Sequence, residues 1–401
     1  MKSVGMGTKP KGYQGPALLA AGYRIFFLSA ALWAVTSLVL WLLYISSMAG
    51  ELGGSQNMLA WHAHELVYGY GGAVVAGFAL TAIPNWTGRT PIRGFELGLL
   101  FAPWLIARIS AVMLLYGFDT DAPRAVAETG FFGLFVLFAT REVVAGKNWR
   151  NLKVVGLFLV LAIAAVAANF SHFEVIQTGI LGWQMGLLVL LLLICVIGGR
   201  IIPAFTGNWM RQQGHTTLPT MFGKFDVLAI AAAVAVLVAY STGAHGQYLA
   251  VAAGLTGALH FVRLMRWRGW QTLASPIVVV LHVSYLWVPI GFLLMAFWAM
   301  GWVSDIAALH AWSVGGIGST TLAVMTRASL GHSGLPLKDS AVLTTIYAAI
   351  NVAALTRVLA GVWYDYYELF LSLSGVMWCG AFLLFVGKFA PVFFKKTDAA
   401  P

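Results

Sequence analysis

The sequence predicts an all-α integral membrane protein, and its composition, its apolar runs and its placement of charge all indicate this class. Hydrophobic residues make up 60% of the 401 residues, charged residues only 9%, and the mean hydropathy is +0.83. Soluble domains carry about 25% charged residues, so this chain cannot cover itself with a water-facing surface. Runs of about 18 or more apolar residues recur, and such runs are typical of helices that cross a bilayer.

Twelve transmembrane helices are predicted, because twelve apolar runs are long enough to cross the hydrocarbon core. In chain order the runs are 23–46, 60–83, 95–116, 125–145, 153–170, 176–201, 223–242, 247–265, 275–300, 304–326, 341–360 and 368–392. We expect residues 1–401 to form a single bundle, with 1–22 as a cytoplasmic N-terminal segment and 393–401 as a cytoplasmic tail. The first run lacks a small-residue cleavage site, which favours a membrane span over a removed signal peptide.

The basic residues sort by loop in the pattern of the positive-inside rule. With both ends of the chain in the cytoplasm, 21 of the 24 lysines and arginines fall on the inner side. Arg124 falls on the outer side, and Arg108 and Arg357 lie inside helices, in the outer half of the membrane. The formal net charge of +10 therefore reflects orientation in a membrane and gives no indication of nucleic-acid binding.

A short phrase that ends in a Thr/Ser-Gly pair occurs three times and predicts one structural unit carried three times. The phrases close at Gly88, Gly207 and Gly334. Counting back 24 residues from each glycine gives His64, Trp183 and His310. We therefore expect the second, sixth and tenth helices to be equivalent in three four-helix repeats, as internal repeats are common in membrane proteins of this size.

Six of the nine histidines lie in or at the edge of the membrane, where ionisable residues usually face the bundle interior. One buried histidine is more often a hydrogen-bonding packing residue, but six in so apolar a chain favour metal or heme binding. The direction of each helix predicts an outer cluster of His62, His64 and His310 and an inner cluster of His260, His282 and His332. The remaining three lie in loops and are interpreted as solvated surface: His172, His215 and His245.

The outer cluster predicts a b-type heme ligated by His64 and His310, since two inward imidazoles on equivalent helices can hold one iron. His62 points about 200° away from His64 on an ideal helix, so the two cannot both serve that iron. Cys195 and Cys379 form no Cys-x-x-Cys-His motif, so a heme would be held without thioether bonds.

Further residues are assigned to the heme pocket. We expect Arg108 and Arg357 to meet the heme propionates, because guanidinium groups pair bidentately with carboxylates. A structural ion pair of an arginine with Glu65 is the alternative. Three more residues are placed beside the heme by their helix face or their repeat position: Tyr68, Gly72 and Trp183. Helix packing is the alternative role for the glycines that follow the histidines.

The inner cluster predicts a copper site, because three neutral imidazoles from separate segments suit copper or zinc. The same three residues, His260, His282 and His332, could instead serve a second heme. Tyr285 lies one turn from His282 and could donate a hydrogen bond to a bound ligand.

Four stretches resemble the NnrS family. They are WHAHE at 61–65, GGRIIPAFT at 198–206, LHVSYLWVP at 281–289 and TLAVMTRASLGHSG at 321–334. The resemblance spans essentially the whole chain and implies a bacterial inner-membrane protein that contains heme and copper and is linked to nitric oxide and nitrosative stress. The family's Thr-Gly-Arg-Pro reads Ser333-Gly334-Leu335-Pro336 here, so the chain lacks that arginine.

The predicted function is therefore a heme b and copper protein of the membrane that binds nitric oxide or a nitrosyl species and protects against nitrosative stress. Redox conversion of nitric oxide is a further option, with a quinol as one electron donor. Two alternatives stay open. One is a twelve-helix transporter of a metal, heme or small anion, and the other is a quinol-linked b-type cytochrome.

Overall fold

The computed structural model describes residues 13–46, 57–170 and 182–395, and these form twelve long helices without a strand. Eleven of them are α1 (Gly22–Ile45), α2 (Met58–Thr87), α3 (Phe95–Leu115), α4 (Asp121–Ala145), α5 (Trp149–Phe170), α6 (Gly182–Gln212), α7 (Lys224–Ser241), α8 (Gln247–Met265), α9 (Pro276–Ala299), α11 (Ala341–Ala360) and α12 (Tyr364–Phe394). The remaining helix, α10, consists of three consecutive parts, Asp305–His310, Ala311–Ser319 and Thr320–His332. The predicted helical class is confirmed within these ranges.

Eleven helices are long and apolar enough to cross a membrane, and α10 is not among them. Its sequence is interrupted by glycine, serine, threonine and histidine, yet most of its residues from Ala307 to Leu330 are buried. Three of its hydroxyl groups, those of Ser319, Thr321 and Thr326, bond to carbonyls one turn back, as Thr321 does to Ile317 at 2.7 Å. The least apolar helix is thus shielded by its neighbours, which is how polar sequence is accommodated at membrane depth.

The centre of the bundle is formed by α2, α6 and α10, which all contact one another. Tyr70 on α2 bonds to Thr321 on α10 at 2.5 Å, and Tyr68 on α2 donates to the carbonyl of Gly182 at the start of α6. The spanning stretch of α2 is 72% buried and that of α6 is 67% buried. These are the three helices that the repeated phrase relates, although a threefold repeat of whole units stays a prediction.

Several helices are longer than the apolar runs that predicted them. The helix predicted over 60–83 runs to Thr87, where Gly88 with φ of 69° ends it in the left-handed conformation. The helix predicted over 304–326 runs to His332, and Gly334 nearby has φ of 70°. The helix predicted over 176–201 continues to Gln212, since a buried Pro203 is tolerated within it, and its predicted start at 176–181 lies outside the described residues.

Two helices carry a π-helical segment directly after a histidine. In α2 the segment is Glu65–Gly71, which follows His64, and in α10 it is Ala311–Ser319, which follows His310. The described part of α6 is α-helical throughout. The first and third copies of the phrase therefore share a histidine, a π segment and a left-handed glycine, and the second copy has none of these. We use "outer end" for the end of the bundle that carries His62 and His310.

Candidate functional site at the outer end

His64 lies in a buried ion cluster formed by α2, α3, α4 and α5. Its Nε2 donates to Oε2 of Glu128 at 2.6 Å, and the amide of Asn169 donates to the same oxygen at 2.9 Å. Arg108 donates through Nη1 to Glu65 at 2.5 Å and through Nη2 to Glu128 at 2.6 Å. Because the two carboxylates are bridged by one guanidinium, each charge in this apolar setting has an opposite charge beside it.

Arg108 is therefore not available to heme propionates, which corrects that prediction, and its structural pair with Glu65 is confirmed. A second arginine adds to the cluster: Arg124 Nη1 lies 3.9 Å from Glu65 and its Nη2 lies 3.6 Å from Asp121. Glu65, Glu128, Arg108 and Arg124 together are electrically neutral when all four are ionised. Each arginine of the cluster thus lies near a carboxylate, while Oε1 of Glu65 and Nε of both arginines have no hydrogen-bond partner among the described residues.

The residues placed beside the heme by helix face also have other partners. Tyr68 donates to the Gly182 carbonyl at 2.7 Å, which ties α2 to α6 next to the half-buried Trp183. A Cβ at Gly72 would lie 2.9 Å from the Phe132 ring, so that ring already fills the space beside the glycine. In α10, a Cβ at Gly315 would lie 2.4 Å from the Trp287 indole. The space beside these glycines is occupied by aromatic side chains of the protein. This corrects the prediction that a heme lies against Gly72.

A different histidine of α2 faces α10. The ring of His62 stacks on Trp41 of α1, with 4.7 Å between centroids and 21° between planes. The guanidinium of Arg357 on α11 interacts electrostatically with both His62 and His310, and the two imidazoles interact with one another. The contacts of His64 are with Glu128 and Tyr68 instead. His62 thus lies within electrostatic range of His310, whereas the described residues show no contact of His64 with His310, and their pairing as heme ligands stays a prediction.

We call His62, His310 and Arg357 the outer group. Some of its polar atoms lack hydrogen-bond partners among the described residues. Within the described residues, Nδ1 of His62 and Nη1 of Arg357 are buried and accept or donate no hydrogen bond. The ion pairs of the described residues do not include Arg357. His310 donates from Nδ1 to the Ile306 carbonyl at 2.8 Å, which leaves the lone pair on Nε2. This arrangement suits a metal ligand, whose second ring nitrogen is usually anchored in this way.

The inner histidine His260 is fully engaged within the protein. Arg263 Nη1 donates to the Tyr285 hydroxyl at 2.6 Å, and that hydroxyl donates to Nδ1 of His260 at 2.8 Å. Nε2 of His260 then donates to the Ala229 carbonyl at 3.1 Å. Because both ring nitrogens are used, His260 could bind a metal only by breaking one of these two hydrogen bonds.

The other two inner histidines lie in different surroundings. His282 is buried and bonds through Nε2 to the Thr206 hydroxyl at 2.8 Å, while its Nδ1 faces Gly269 without a hydrogen-bond partner in the described ranges. His332 is exposed at the end of α10, and its ring lies 5.8 Å from the Tyr23 ring of α1. Among the described residues no three His, Cys, Asp or Glu side chains converge as a metal site. The structure therefore does not bring these three side chains together in the described residues, and the copper site at the inner cluster stays a prediction.

Three residues of the outer end were missed from the sequence. Glu128 lies inside the run predicted as the fourth span, and an acid within a span is itself a signal of a buried partner. Asn169 closes the fifth span and could have been found in the same way. Trp41 carried no such signal, because tryptophan is common at the ends of transmembrane helices.

Comparison with known protein families identifies one family that matches this chain. A family model described as NnrS protein matches residues 17–396, which is nearly the whole chain. No curated protein matches the chain. The match covers both π segments, the ion cluster and the outer group of His62, His310 and Arg357. This chain therefore belongs to the NnrS family, as a multi-pass membrane protein linked to the response to nitric oxide.

Proposed function

We propose that this protein binds heme b at the outer end, where His62 and His310 would hold the iron and Arg357 would pair with a propionate. The observation that carries the proposal is the pair of imidazoles near the half-buried Arg357, whose Nη1 is buried and whose guanidinium has no carboxylate partner among the described residues. A fourth residue, Trp41, supports the His62 ring by stacking. His62 thus takes the place that the repeat assigned to His64.

The donor set fits a heme rather than an isolated cation. Two neutral imidazoles are a common axial pair for b-type heme, and an unpaired arginine supplies the counter-charge that a propionate needs. The group is only half-buried, since His62, His310 and Arg357 all keep some exposure. A heme iron held there would supply strong binding of nitric oxide.

The two ligands differ in how firmly the protein holds them. His310 is oriented by the bond from Nδ1 to the Ile306 carbonyl. His62 has stacking on Trp41 and no hydrogen bond at its buried Nδ1 within the described residues. We infer that His310 is the more firmly held of the two rings and His62 the more weakly held.

Copper does not fit any group of the described residues. His260 has both ring nitrogens engaged, His282 stands alone beside Thr206, and His332 lies at the surface. We therefore derive no role for copper from this structure.

The setting favours nitric oxide as the ligand. The chain belongs to a family linked to the nitric oxide response, and an uncharged apolar gas concentrates in a bilayer. We propose that the protein captures nitric oxide within a bacterial cytoplasmic membrane and so protects against nitrosative stress, with redox conversion by a quinol or another donor as a possible extension.

Optical titration of the purified protein with nitric oxide tests this function. Wild-type protein is expected to show a Soret band that shifts on addition of nitric oxide, and His310→Ala is expected to lose most of the heme. His245→Ala, an exposed loop histidine, is the matched control and should keep both. A wild-type preparation without a Soret band after growth with a heme precursor would refute the proposal and leave the transporter alternative.

A further inference from the structure

The direction of His62 depends on the π segment that follows it. A π segment amounts to one extra residue in an α-helix, so the turn before it is rotated by about 100° relative to the turns after it. The segment Glu65–Gly71 separates His62 from the rest of α2, and Ala311–Ser319 does the same for His310 in α10. Without these segments the two imidazoles would face other neighbours.

Contacts on several sides hold the π segment of α2. Tyr68 donates to the Gly182 carbonyl on α6, and Tyr70 bonds to Thr321 on α10. Trp104 on α3 donates from Nε1 to the Gly69 carbonyl at 2.9 Å. A π segment has weaker backbone bonding than an α-helix and persists where surrounding contacts define it. These three bonds define it from three helices.

Arg108 is the central contact of this segment. Its guanidinium bonds to Glu65, the first residue of the segment, and to Glu128, which holds His64 directly before it. A Cβ at Gly69 would lie 2.2 Å from Nη1 of Arg108, so the guanidinium occupies the groove beside the segment. The Trp33 ring covers Arg108 from α1, at 5.7 Å.

We propose that Arg108 is a positioning residue: by fixing the π segment of α2 it aims His62 at His310 and Arg357. Arg108 itself is committed to Glu65 and Glu128 and does not reach the ligand. The inference rests on the proposed function only in treating His62 as a heme ligand, because the direction of its side chain can be measured without heme.

The experiment compares Arg108→Lys with Arg263→Lys. A lysine keeps the charge but cannot bridge Glu65 and Glu128 with a planar fork. Arg263 is the matched control, because it is equally buried, bonds to Asp226 at 2.7 Å and lies at the other end of the bundle. Heme spectra are recorded for both variants. Arg108→Lys is expected to lose the low-spin signal of the two-imidazole heme. Arg263→Lys is expected to keep that signal when it is normalised to the amount of bound heme.

A second readout needs no heme. Nitroxide labels are attached to cysteines placed by His62→Cys and His310→Cys, in a chain with Cys195→Ser and Cys379→Ser. Dipolar broadening between the labels is expected in the parent chain and in its Arg263→Lys form, and its loss is expected with Arg108→Lys. If Arg108→Lys does not fold, Glu65→Gln removes one of the two bonds and is expected to weaken the broadening in the same direction.

The outcomes separate the two proposals. Unchanged broadening and an unchanged heme spectrum in a folded Arg108→Lys or Glu65→Gln variant would overturn the positioning role. Loss of broadening in Arg108→Lys together with a heme-free wild type would uphold the positioning role and refute the heme proposal.

Discussion

Oε2 of Glu128 accepts a hydrogen bond of 2.6 Å from Nε2 of His64, and both side chains are buried. The other oxygen of the same carboxylate accepts from Arg108, and Asn169 is a third donor. One carboxylate on α4 therefore ties together α2, α3 and α5. The ion cluster is the main polar contact among these four helices, and its loss should affect stability before it affects ligand binding.

Replacing Glu128 by glutamine is predicted to destabilise the protein. The amide leaves Arg108 with half of its counter-charge, and breaking a buried pair costs about 3–5 kcal/mol. Unfolding by denaturant in mixed micelles measures the loss. Glu96→Gln is the control, because the Glu96–Arg141 pair is largely exposed and such pairs contribute about 0–1 kcal/mol. Equal losses in the two variants would contradict the structural role of the cluster.

Replacing Arg357 by glutamine is predicted to weaken heme retention. A charge-assisted hydrogen bond is worth about 1.5–3 kcal/mol, so the heme dissociation constant should rise by roughly tenfold to a hundredfold. Heme transfer to an apo-globin acceptor gives the measurement. Arg327→Gln is the control, since Arg327 packs on the Phe205 ring at 4.0 Å, toward the inner end of α10. Retention equal to wild type in Arg357→Gln would exclude a propionate contact at this residue.

Gly199→Ala is predicted to be strongly destabilising. The added Cβ would lie 1.8 Å from Nη2 of Arg263, which is buried and held by Asp226, the Cys195 carbonyl and Tyr285. The arginine cannot move aside without breaking these bonds, so a loss of about 3 kcal/mol or more is expected.

Gly254→Ala tests the same change where there is room. No heavy atom lies within 4 Å of the Cβ position at Gly254, which sits inside α8. Alanine favours a helix interior over glycine by about 0.5–1 kcal/mol, so this variant should be neutral or slightly more stable. Thermal unfolding in detergent compares the pair, and a similar melting temperature for both would show that the space around Arg263 is wrongly described.

His260→Ala is predicted to destabilise the inner network without changing the heme spectrum. It removes the acceptor of the Tyr285 hydroxyl proton, although that hydroxyl keeps its bond from Arg263, and a buried donor left unpaired costs about 1–3 kcal/mol. Unfolding and metal analysis are run on one preparation. If the wild type contained copper and both His260→Ala and His332→Ala lost it to the same extent, the inner histidines would form a shared metal site, which would contradict this prediction.

Much of the fold could be predicted because a bilayer imposes strong rules on sequence. Apolar runs located the helices to within a few residues, and α10 was found although its serines and glycines make it the least apolar. The ends of the helices were harder to predict than their positions. The helix predicted to stop at 201 continues to Gln212, because a helix can leave the hydrocarbon core before it ends. The composition of that stretch therefore carries no signal for its end.

The site was harder to predict than the fold. The position of a residue along a helix does not determine the direction in which its side chain points around the helix axis. Topology placed His62, His64 and His310 at one level, and the 200° separation of the first two was correctly expected to give them different neighbours. Which of them faces His310 depends on a π segment, and a π segment depends on tertiary contacts such as that of Trp104 with Gly69. The same limit explains the inner histidines, which share a depth and face three different surroundings.

Heme content of His62→Ala and His64→Ala, measured side by side as the ratio of Soret absorbance to protein, tests the central claim most directly. His62→Ala is expected to lose the low-spin heme at normal protein yield. Folded His64→Ala is expected to keep the heme and to be less stable. Full heme in His62→Ala together with loss in His64→Ala would contradict the account and restore the pairing of His64 with His310.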